Sequence, residues 1–205
     1  MQKRSKEKQE RALGMKLFLK GERCNSPKCA MIRRPNRPGM HGSKRKRNLS
    51  EYGAQLLEKQ RVRVSYGLQE KQMAKVIEKA FKKPGAVNET IVSYLESQLS
   101  NVVFRLGLAS SRIVARQLIA HGHIWVNGRK ITSSFHFVKK GDVVSIKPSS
   151  LKLLIFKDLP VKLKKHELPD WLFLDIEKLE GKVLNSPQNI ELPFDIGLVV
   201  DYYSK

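Results

Sequence analysis

The clearest alternation of apolar and polar positions lies in the middle of the chain, between residues 88 and 107. Apolar side chains recur there at intervals of three and four residues, which is typical of one face of a helix. This stripe consists of Leu95, Leu99, Val102, Val103 and Leu106. Gly107 follows at the position where a glycine often ends a helix. The pattern therefore predicts one amphipathic helix over this stretch.

A shorter helix is predicted directly after it. Ser110 or Ser111 can cap its first turn with a side-chain oxygen, and Gly122 can end it. The positions predicted to face inward are Val114, Ala115, Leu118 and Ile119. Two helices in succession thus precede the part of the chain with strand character.

Strand signals begin after Gly122. The runs "HIWV" and "RKI" enclose Asn127 and Gly128, and such a pair favours a two-residue hairpin because both turn positions need φ > 0. A further strand pair is predicted from "FHFV" and "VVSI", joined by a polar turn at residues 140–142. Trp125 can serve either as core or as a stacking surface. The middle of the chain is therefore expected to form two helices followed by a small antiparallel sheet.

Two more amphipathic helices are predicted between residues 50 and 83. Ser50 can cap the first and Gly67 can stop it. The apolar positions are Leu56, Leu57, Val62 and Val64 in the first helix and Met73, Val76, Ile77 and Ala80 in the second. Both helices need a further surface to cover them. We expect the C-terminal segment from about Gly181 to supply it.

The first fifty residues show little sustained periodicity. Glycine and proline punctuate a run of basic side chains, and such a segment cannot bury enough apolar surface to fold alone. We therefore expect an extended arm with short local elements that becomes ordered on its partner.

Charge identifies the kind of partner. The chain has 40 Lys and Arg against 19 Asp and Glu, a net charge of +21. Residues 1–50 hold 16 bases and 3 acids, whereas residues 151–205 hold 8 and 9. This uneven distribution favours nucleic acid over an anionic membrane or a generic basic surface. No run of 18 apolar residues and no secretory signal are present, so we expect a cytosolic protein, with an organellar location left open.

Arg112 and Arg116 share one stripe of the shorter predicted helix, with Gln117 beside them. Each guanidinium offers a planar fork of donors that matches phosphate oxygens. A solvated helix face is the alternative. Asp and Glu are absent from Ser97 through Phe137, so no local anion is available to pair with either arginine. This absence favours phosphate as their partner.

His121 and His123 flank Gly122, where an imidazole can cap the carbonyl end of the helix or contact RNA. Both interpretations stay open, whereas zinc would need more ligands than two histidines at this spacing. Arg129 and Lys130 follow the Asn-Gly turn and extend the basic surface across the hairpin.

The middle of the chain closely resembles the RNA-binding module named after ribosomal small-subunit protein four. The residues that carry this resemblance read "LESQLSNVVFRLGLASSRIVARQLIAHGHIWVNGRKI" and "VKKGDVVSI". Pseudouridine synthases, tyrosyl-tRNA synthetases and a ribosome-rescue factor also carry the module, so it implies RNA binding alone. The flanking runs "KLFLKGERCNSPKCAMIRRPNRPGMHG", "SEYGAQLLEKQRVRVSYGLQEKQ" and "LVVDYYSK" resemble the remainder of the bacterial-type family of ribosomal small-subunit protein four.

The resemblance implies an α+β architecture. A mainly helical domain carries an inserted RNA-binding module, made of two helices and a small antiparallel β-sheet, and an extended basic N-terminal arm. The corresponding ranges are residues 1–49 for the arm, residues 50–93 completed by 178–205 for the helical domain, and residues 94–177 for the module with its connecting segment.

The cysteines depart from the pattern of zinc-bearing members of that family, which have a C-x2-C pair upstream of a second cysteine pair. Cys24 and Cys29 form only the second pair, and Glu7 and Glu10 stand at the upstream positions. Structural zinc prefers thiolate and imidazole ligands. We therefore expect no cofactor, and Cys24 and Cys29 are weak candidates for zinc ligands.

Residues of all three ranges are candidates for RNA binding. Those in the module are Arg112, Arg116, Gln117, His121, His123, Asn127, Arg129 and Lys130. Those outside it are Arg33, Arg34, Arg37, His41, Lys44, Arg45, Lys46, Arg47, Tyr52, Lys59, Arg61, Arg63 and Tyr66. Tyr52 and Tyr66 either stack on RNA or simply pack. The resemblance places the basic run at residues 44–47 beside the messenger RNA entry channel and small-subunit protein five, and a solvated tail is the alternative.

The resemblance implies a structural component of the small ribosomal subunit that binds its rRNA, nucleates assembly and supports translational accuracy. The chain shows no phosphate loop, nucleophile elbow or zinc-protease motif, so we expect no enzyme, no small-molecule substrate and no membrane partner. A free RNA-binding rescue or regulatory factor that visits ribosomes is the alternative.

Overall fold

The computed structural model describes residues 5–44, 48–164 and 166–204, which form two compact units. Unit 1 combines the chain up to Lys83 with the chain from Glu191 onward, and unit 2 runs from Pro84 to Ile190. Unit 1 consists of helices, and unit 2 combines helices with one antiparallel sheet, so the α+β class is confirmed. Within the described residues, no helix is both long enough and apolar enough to cross a membrane.

Unit 1 is helical. Its helices are α1 (Lys6–Leu13), α2 (Glu22–Asn25), α3 (Ala30–Arg33), α4 (Glu51–Ser65), α5 (Glu70–Lys82) and α11 (Ile196–Tyr203). Helix α11 packs along α4 and also contacts α5. The covering segment was expected from about Gly181, but that residue lies in a strand of unit 2, and the covering chain begins at Glu191.

The N-terminal segment is more folded than the extended arm that its composition predicts. Helix α1 contacts both α3 and α4, and Leu17 and Leu19 are buried. Arg61 of α4 donates from both Nε and Nη2 to the carbonyl of Leu13, at 3.1 Å each. A few apolar anchors and one bidentate arginine thus hold this basic segment against a helix of its own unit.

Helices α4 and α5 begin as predicted but bury different kinds of surface. The Ser50 hydroxyl accepts a hydrogen bond from the Gly53 amide at 3.2 Å, and a capping box opens α5. The predicted apolar stripe of α5 is buried. In α4 the buried positions are Gln55, Glu58, Lys59, Val62 and Ser65, whereas Leu56, Leu57 and Val64 are half-buried. The loose apolar face predicted for α4 is therefore corrected to a mainly polar one.

Unit 2 contains the remaining helices and the sheet. The helices are α6 (Val87–Glu96), α7 (Leu99–Arg105), α8 (Arg112–Ala120), α9 (Leu154–Lys157) and α10 (Leu159–Leu163). The strands are β1 (Ile124–Val126), β2 (Arg129–Lys130), β3 (Val143–Ile146), β4 (Leu172–Asp175) and β5 (Glu180–Val183). They form one antiparallel sheet in the order β2-β1-β3-β5-β4.

Two predictions for unit 2 need correction. The single helix predicted between residues 88 and 107 is two helices, because the chain breaks at Gln98, which forms an isolated antiparallel bridge with Phe137. The run "FHFV" consequently does not pair with "VVSI", and β3 pairs with β1 and β5 instead. Amides at the start of α7 donate hydrogen bonds to this crossing chain, as the Leu99 amide does to the His136 carbonyl at 2.7 Å.

The core of unit 2 lies between α7, α8 and the sheet. All five members of the stripe predicted between residues 88 and 107 are buried. Four of them, all but Leu95, share this core with Ile124 and Val126, while Trp125 is half-buried on the opposite face of β1. Gly181 of β5 permits a close approach of α7 to the sheet, since a Cβ atom there would lie 2.3 Å from Leu106 Cδ1. The two helices and the sheet thus share one core.

Candidate nucleic-acid interface

The β1–β2 hairpin has the turn that its sequence predicts. Asn127 and Gly128 both have positive φ, at 50° and 74°. The Asn127 side chain donates to Asp142 Oδ1 at 2.9 Å and accepts from the Val143 amide at 2.8 Å. Both polar groups of Asn127 are therefore engaged in holding the turn to β3, which accounts for this residue without an RNA contact.

Arg129 and Lys130 form β2 at the edge of the sheet, and both are exposed. Lys130 lays its methylene stem over Gly122, where a Cβ atom would lie 2.3 Å from Lys130 Cε. The glycine that ends α8 thus leaves room for the lysine, and the hairpin carries two cations outward.

Helix α8 presents its exposed surface beside the hairpin. Ser111 caps the helix by accepting from the Val114 amide at 3.3 Å, which settles the predicted choice between Ser110 and Ser111. Gln117 and His121 are exposed, whereas Arg112 and Arg116 are half-buried. Burial lowers the pKa of the Arg116 guanidinium from its ordinary value. The two arginines are therefore less open to solvent than a shared outer stripe predicts.

A buried carboxylate organises the arginine cluster of this unit. Glu96 is fully buried and accepts from Arg105 Nε at 2.9 Å and from Asn101 Nδ2 at 3.0 Å. Arg112 donates from Nε to Asn101 Oδ1 at 2.7 Å, lies 3.9 Å from Glu96 and covers the Phe104 ring. The expectation that Arg112 has no local anion is wrong, because Glu96 precedes the acid-free stretch by one residue.

The two histidines after α8 differ in their surroundings. His123 is half-buried, with Nδ1 2.9 Å from the Ser150 hydroxyl and its ring edge-on to Phe156 at 6.4 Å. His121 is exposed, and its ring stacks on His123 at a centroid distance of 6.0 Å. His123 is thus tied into the fold, and His121 is the one that faces outward.

Lys59, a predicted RNA contact, lies inside unit 1. Its side chain is 6% exposed, its ammonium donates to Glu70 Oε1 at 2.8 Å, and it sits 4.2 Å from the ring centroid of Tyr202. The Tyr203 hydroxyl donates to the same Glu70 oxygen at 2.8 Å. The Lys59 ammonium thus has a carboxylate and two tyrosine rings as partners within unit 1, and its exposure gives no support to the RNA contact predicted for it.

Other predicted contacts on α4 are also used within the unit. Arg61 pairs with Glu58 and binds the carbonyl described above, and Arg63 donates to Gln60 Oε1 at 3.1 and 2.6 Å. Tyr66 has no exposed surface, so packing, not stacking on RNA, accounts for it. Tyr52 is 55% exposed and rests against Tyr202 at 5.7 Å, which leaves one side of its ring open.

The predicted contacts of the N-terminal segment are exposed wherever the structure describes them. They are Arg33, Arg34, Arg37, His41 and Lys44. Arg45, Lys46 and Arg47 lie outside the described residues. An open cavity of about 550 Å³ lies among Lys8, Ala12, Arg37, Pro38 and Gly39. Lys8, which the sequence analysis did not single out, also lines this cavity.

Glu7 and Glu10, at the two upstream positions, have partners within the chain. Glu10 is buried, and its Oε1 accepts from the amides of Leu17 and Leu19 at 3.2 and 2.9 Å. Glu7 forms an ion pair with Arg23 at 2.9 Å. Both upstream carboxylates are therefore committed to bonds within the chain.

The cysteines are buried free thiols. Burial raises the pKa of Cys24, whose sulfur accepts from the Lys20 amide at 3.4 Å. Over the described residues, no group of three or more His, Cys, Asp or Glu side chains is placed to hold a metal ion. The residues present at Cys24, Cys29 and the two upstream positions do not fit a zinc ion.

Comparison with known proteins covers almost the whole chain. Residues 2–96 match the family described as ribosomal protein S4/S9 N-terminal domain, and residues 99–144 match the S4 domain. The chain is 45% identical to small ribosomal subunit protein uS4 of Thermus thermophilus and 46% identical to that of Halothermothrix orenii. It is 41% identical to the uS4 of Kosmotoga olearia. Each alignment covers 94% of this chain and 93% of the relative.

Proposed function

The chain belongs to the uS4 family of small ribosomal subunit proteins, and from this membership we propose that it is a structural protein of the small subunit that binds rRNA directly. It is not an enzyme. Its working location is then the ribosome, in the cytoplasm or in an organelle.

One observation supports direct RNA binding most strongly: the structure sorts the cations into two classes. Lys59, Arg61 and Arg105 are bound by internal acceptors. Arg129 and Lys130 on the hairpin are exposed. An excess of outward cations on a chain of net charge +21 suits a polyanion that replaces its counterions with these side chains.

The mechanism is positioning by charge neutralisation. Guanidinium and ammonium groups bind phosphates where RNA strands approach one another, and counterions released from the RNA make the binding favourable. Double-stranded RNA is recognised mainly by shape and backbone, so a rigid sheet edge and a capped helix suit this target. The protein then holds the RNA in one arrangement.

Finer roles follow from the resemblance and extend this proposal. The exposed residues His41 and Lys44 precede the basic run that would face messenger RNA at the entry channel, beside small-subunit protein five. A protein that binds rRNA directly can also nucleate assembly and, through the entry channel, support accuracy.

The salt dependence of rRNA binding tests the proposal. With about ten phosphates neutralised, log K should fall with log salt at a slope of about −7 to −9. Arg129→Glu with Lys130→Glu should weaken binding and flatten the slope by about 2, with an unchanged circular dichroism spectrum. Lys71→Glu with Lys75→Glu, an equal charge change on exposed positions of α5, is the matched control. A wild-type slope shallower than about −2 would overturn the mechanism.

Sedimentation separates a structural component from a visiting factor. The protein should remain with small subunits through a high-salt wash of a lysate of its source organism. Its release into the top fractions would favour the free rescue or regulatory factor, which receives no support from the family comparisons.

A further inference from the structure

A run of large aliphatic side chains in unit 2 faces solvent. Within the eleven residues 151–161, five such side chains are exposed, among them Leu154 at 80%, Val161 at 70% and Ile155 at 54%. The other two are Leu151 and Leu153. These five residues lie close together in the sequence, and clustered exposed apolar side chains commonly mark an interaction site.

The fold itself holds these side chains outward. Phe156, Leu159 and Leu163 of α9 and α10 are buried in the core of unit 2. Because these three anchors occupy the inner face of two helices that contact one another, Leu154 and Val161 must lie on the outer face. The exposure therefore belongs to a packed segment, not to a loose one.

The chemistry of this segment does not suit RNA. RNA-binding surfaces stack bases on aromatic rings or guanidinium planes. The sole aromatic residue of this segment is Phe156, which is 2% exposed, and the segment contains no arginine. Aliphatic side chains would gain little against sugar and phosphate, so the occupant they favour is protein.

The charges of this segment indicate what kind of protein could bind to it. Lysines are interleaved with the exposed aliphatic residues, and the single acid between residues 151 and 164 is Asp158. The lysines are Lys152, Lys157, Lys162 and Lys164. Protein interfaces typically combine an apolar centre with a polar rim. A basic rim on this side is complementary to carboxylates on the other.

We propose that residues 151–164, the α9–α10 patch, form a docking surface for a neighbouring protein that presents an apolar patch bordered by Asp and Glu. The neighbour is sought within the small subunit, and in this respect the inference rests on the proposed function. RNA binding by the hairpin and protein binding by the α9–α10 patch are separate properties of unit 2.

Cysteine labelling in staged particles tests this proposal. Leu154→Cys and Gln117→Cys are each treated with a maleimide in the free protein, in its complex with rRNA alone, and in the complete small subunit. Cys24 and Cys29 are both 2% exposed, so the wild-type protein gives the background. Leu154→Cys should react at the same rate with rRNA alone and at least about tenfold more slowly in the complete subunit. Gln117→Cys should already be protected by rRNA.

The rim is tested in the same assay. Adding Lys152→Glu and Lys157→Glu to the Leu154→Cys protein should restore labelling in the complete subunit. The matched reversals Lys178→Glu and Lys182→Glu, at exposed positions elsewhere in unit 2, should leave it protected.

Each other outcome has a definite meaning. Protection of Leu154→Cys by rRNA alone would identify RNA as the occupant and overturn the proposal. Labelling that persists in the complete subunit would overturn it as well, and so would concentration-dependent protection of the free protein, which would identify a second copy. If Gln117→Cys alone stays reactive, the proposed RNA-binding face fails while the docking surface stands.

Discussion

The buried carboxylate of Glu96 receives two hydrogen bonds from one guanidinium, that of Arg105, with Nε 2.9 Å from Oε2 and Nη2 3.1 Å from Oε1. Asn101 donates to the same carboxylate and accepts a hydrogen bond from Arg112, so it links Arg112 to Glu96. One acid thus fixes the directions of two arginines from inside the module. Bidentate arginine–carboxylate pairs hold their geometry better than single contacts.

Removing this charge should destabilise the protein. Glu96→Gln preserves the size of the side chain but leaves the two arginines without their shared anion, and we expect a loss of roughly 3 kcal/mol in the free energy of unfolding. Urea denaturation measures it. Glu89→Gln, an exposed position of the same helix, should change stability by less than about 0.5 kcal/mol. Equal stabilities of the two variants would contradict the role of the network.

Acid should weaken unit 1 through Glu70. Burial raises the pKa of this carboxyl, but hydrogen bonds from Lys59 and Tyr203 and the charge of Arg63 outweigh it, so the net pKa is lowered from 4.5. A carboxyl with a lower pKa in the folded state contributes stability that is present above the unfolded value and lost as pH falls through the folded one.

The comparison with Glu70→Gln isolates this contribution. The wild type should be more stable at pH 7, and the difference between the two proteins should shrink below pH 4.5. Urea midpoints measured from pH 7 to pH 3 check this. A difference that stays constant over that range would show that Glu70 titrates alike in both states.

Glu10 should stabilise the N-terminal segment without any metal. Glu10→Ala leaves the amides of Leu17 and Leu19 without their acceptor, and we expect a loss of roughly 2–3 kcal/mol. Glu7→Ala, which removes a more exposed ion pair, should cost less than about 1 kcal/mol. Thermal unfolding with and without a chelator completes the measurement, and a Tm lowered by the chelator would contradict the metal-free interpretation.

Gly122 and Gly128 should differ in their effect on RNA binding. Both have positive φ, so alanine at either position should cost about 1 kcal/mol of stability. Only at Gly122 would the new methyl group displace Lys130, since nothing lies within 4 Å of a Cβ atom at Gly128. Gly122→Ala should therefore flatten the salt slope of rRNA binding by about 1. With Lys130→Ala already present, Gly122→Ala should cause no further flattening.

The sequence predicted those elements whose conformation depends only on neighbouring residues. The stripe of α5 and the Asn-Gly turn follow from periodicity and from the backbone angles that two adjacent residues need. The break at Gln98 could not be predicted from periodicity. Phe137, which pairs with Gln98, is 39 residues further along the chain, and the apolar spacing around Gln98 does not depend on it.

The same limit applies to the site. A lysine on a helix of a basic chain looks like an RNA contact, and Lys59 differs only because Glu70 and the C-terminal tyrosines meet it in space. Glu96 shows how a short sequence window misleads, since the anion that binds Arg105 and Arg112 lies just before the stretch that lacks acids. The exposure of Arg129 and Lys130 could be predicted because the adjacent turn places them at the surface, whereas their contact with RNA stays a prediction.

The chain path of unit 1 has a consequence for biosynthesis. Helix α4 buries a polar face that includes Lys59, and the helix that packs along it, α11, is translated only after all of unit 2. During synthesis, the residues of unit 2 are therefore added before Tyr202 and Tyr203, and Lys59 acquires these two neighbours only afterwards. Unit 2 can therefore complete its core while unit 1 still lacks the helix that packs along α4.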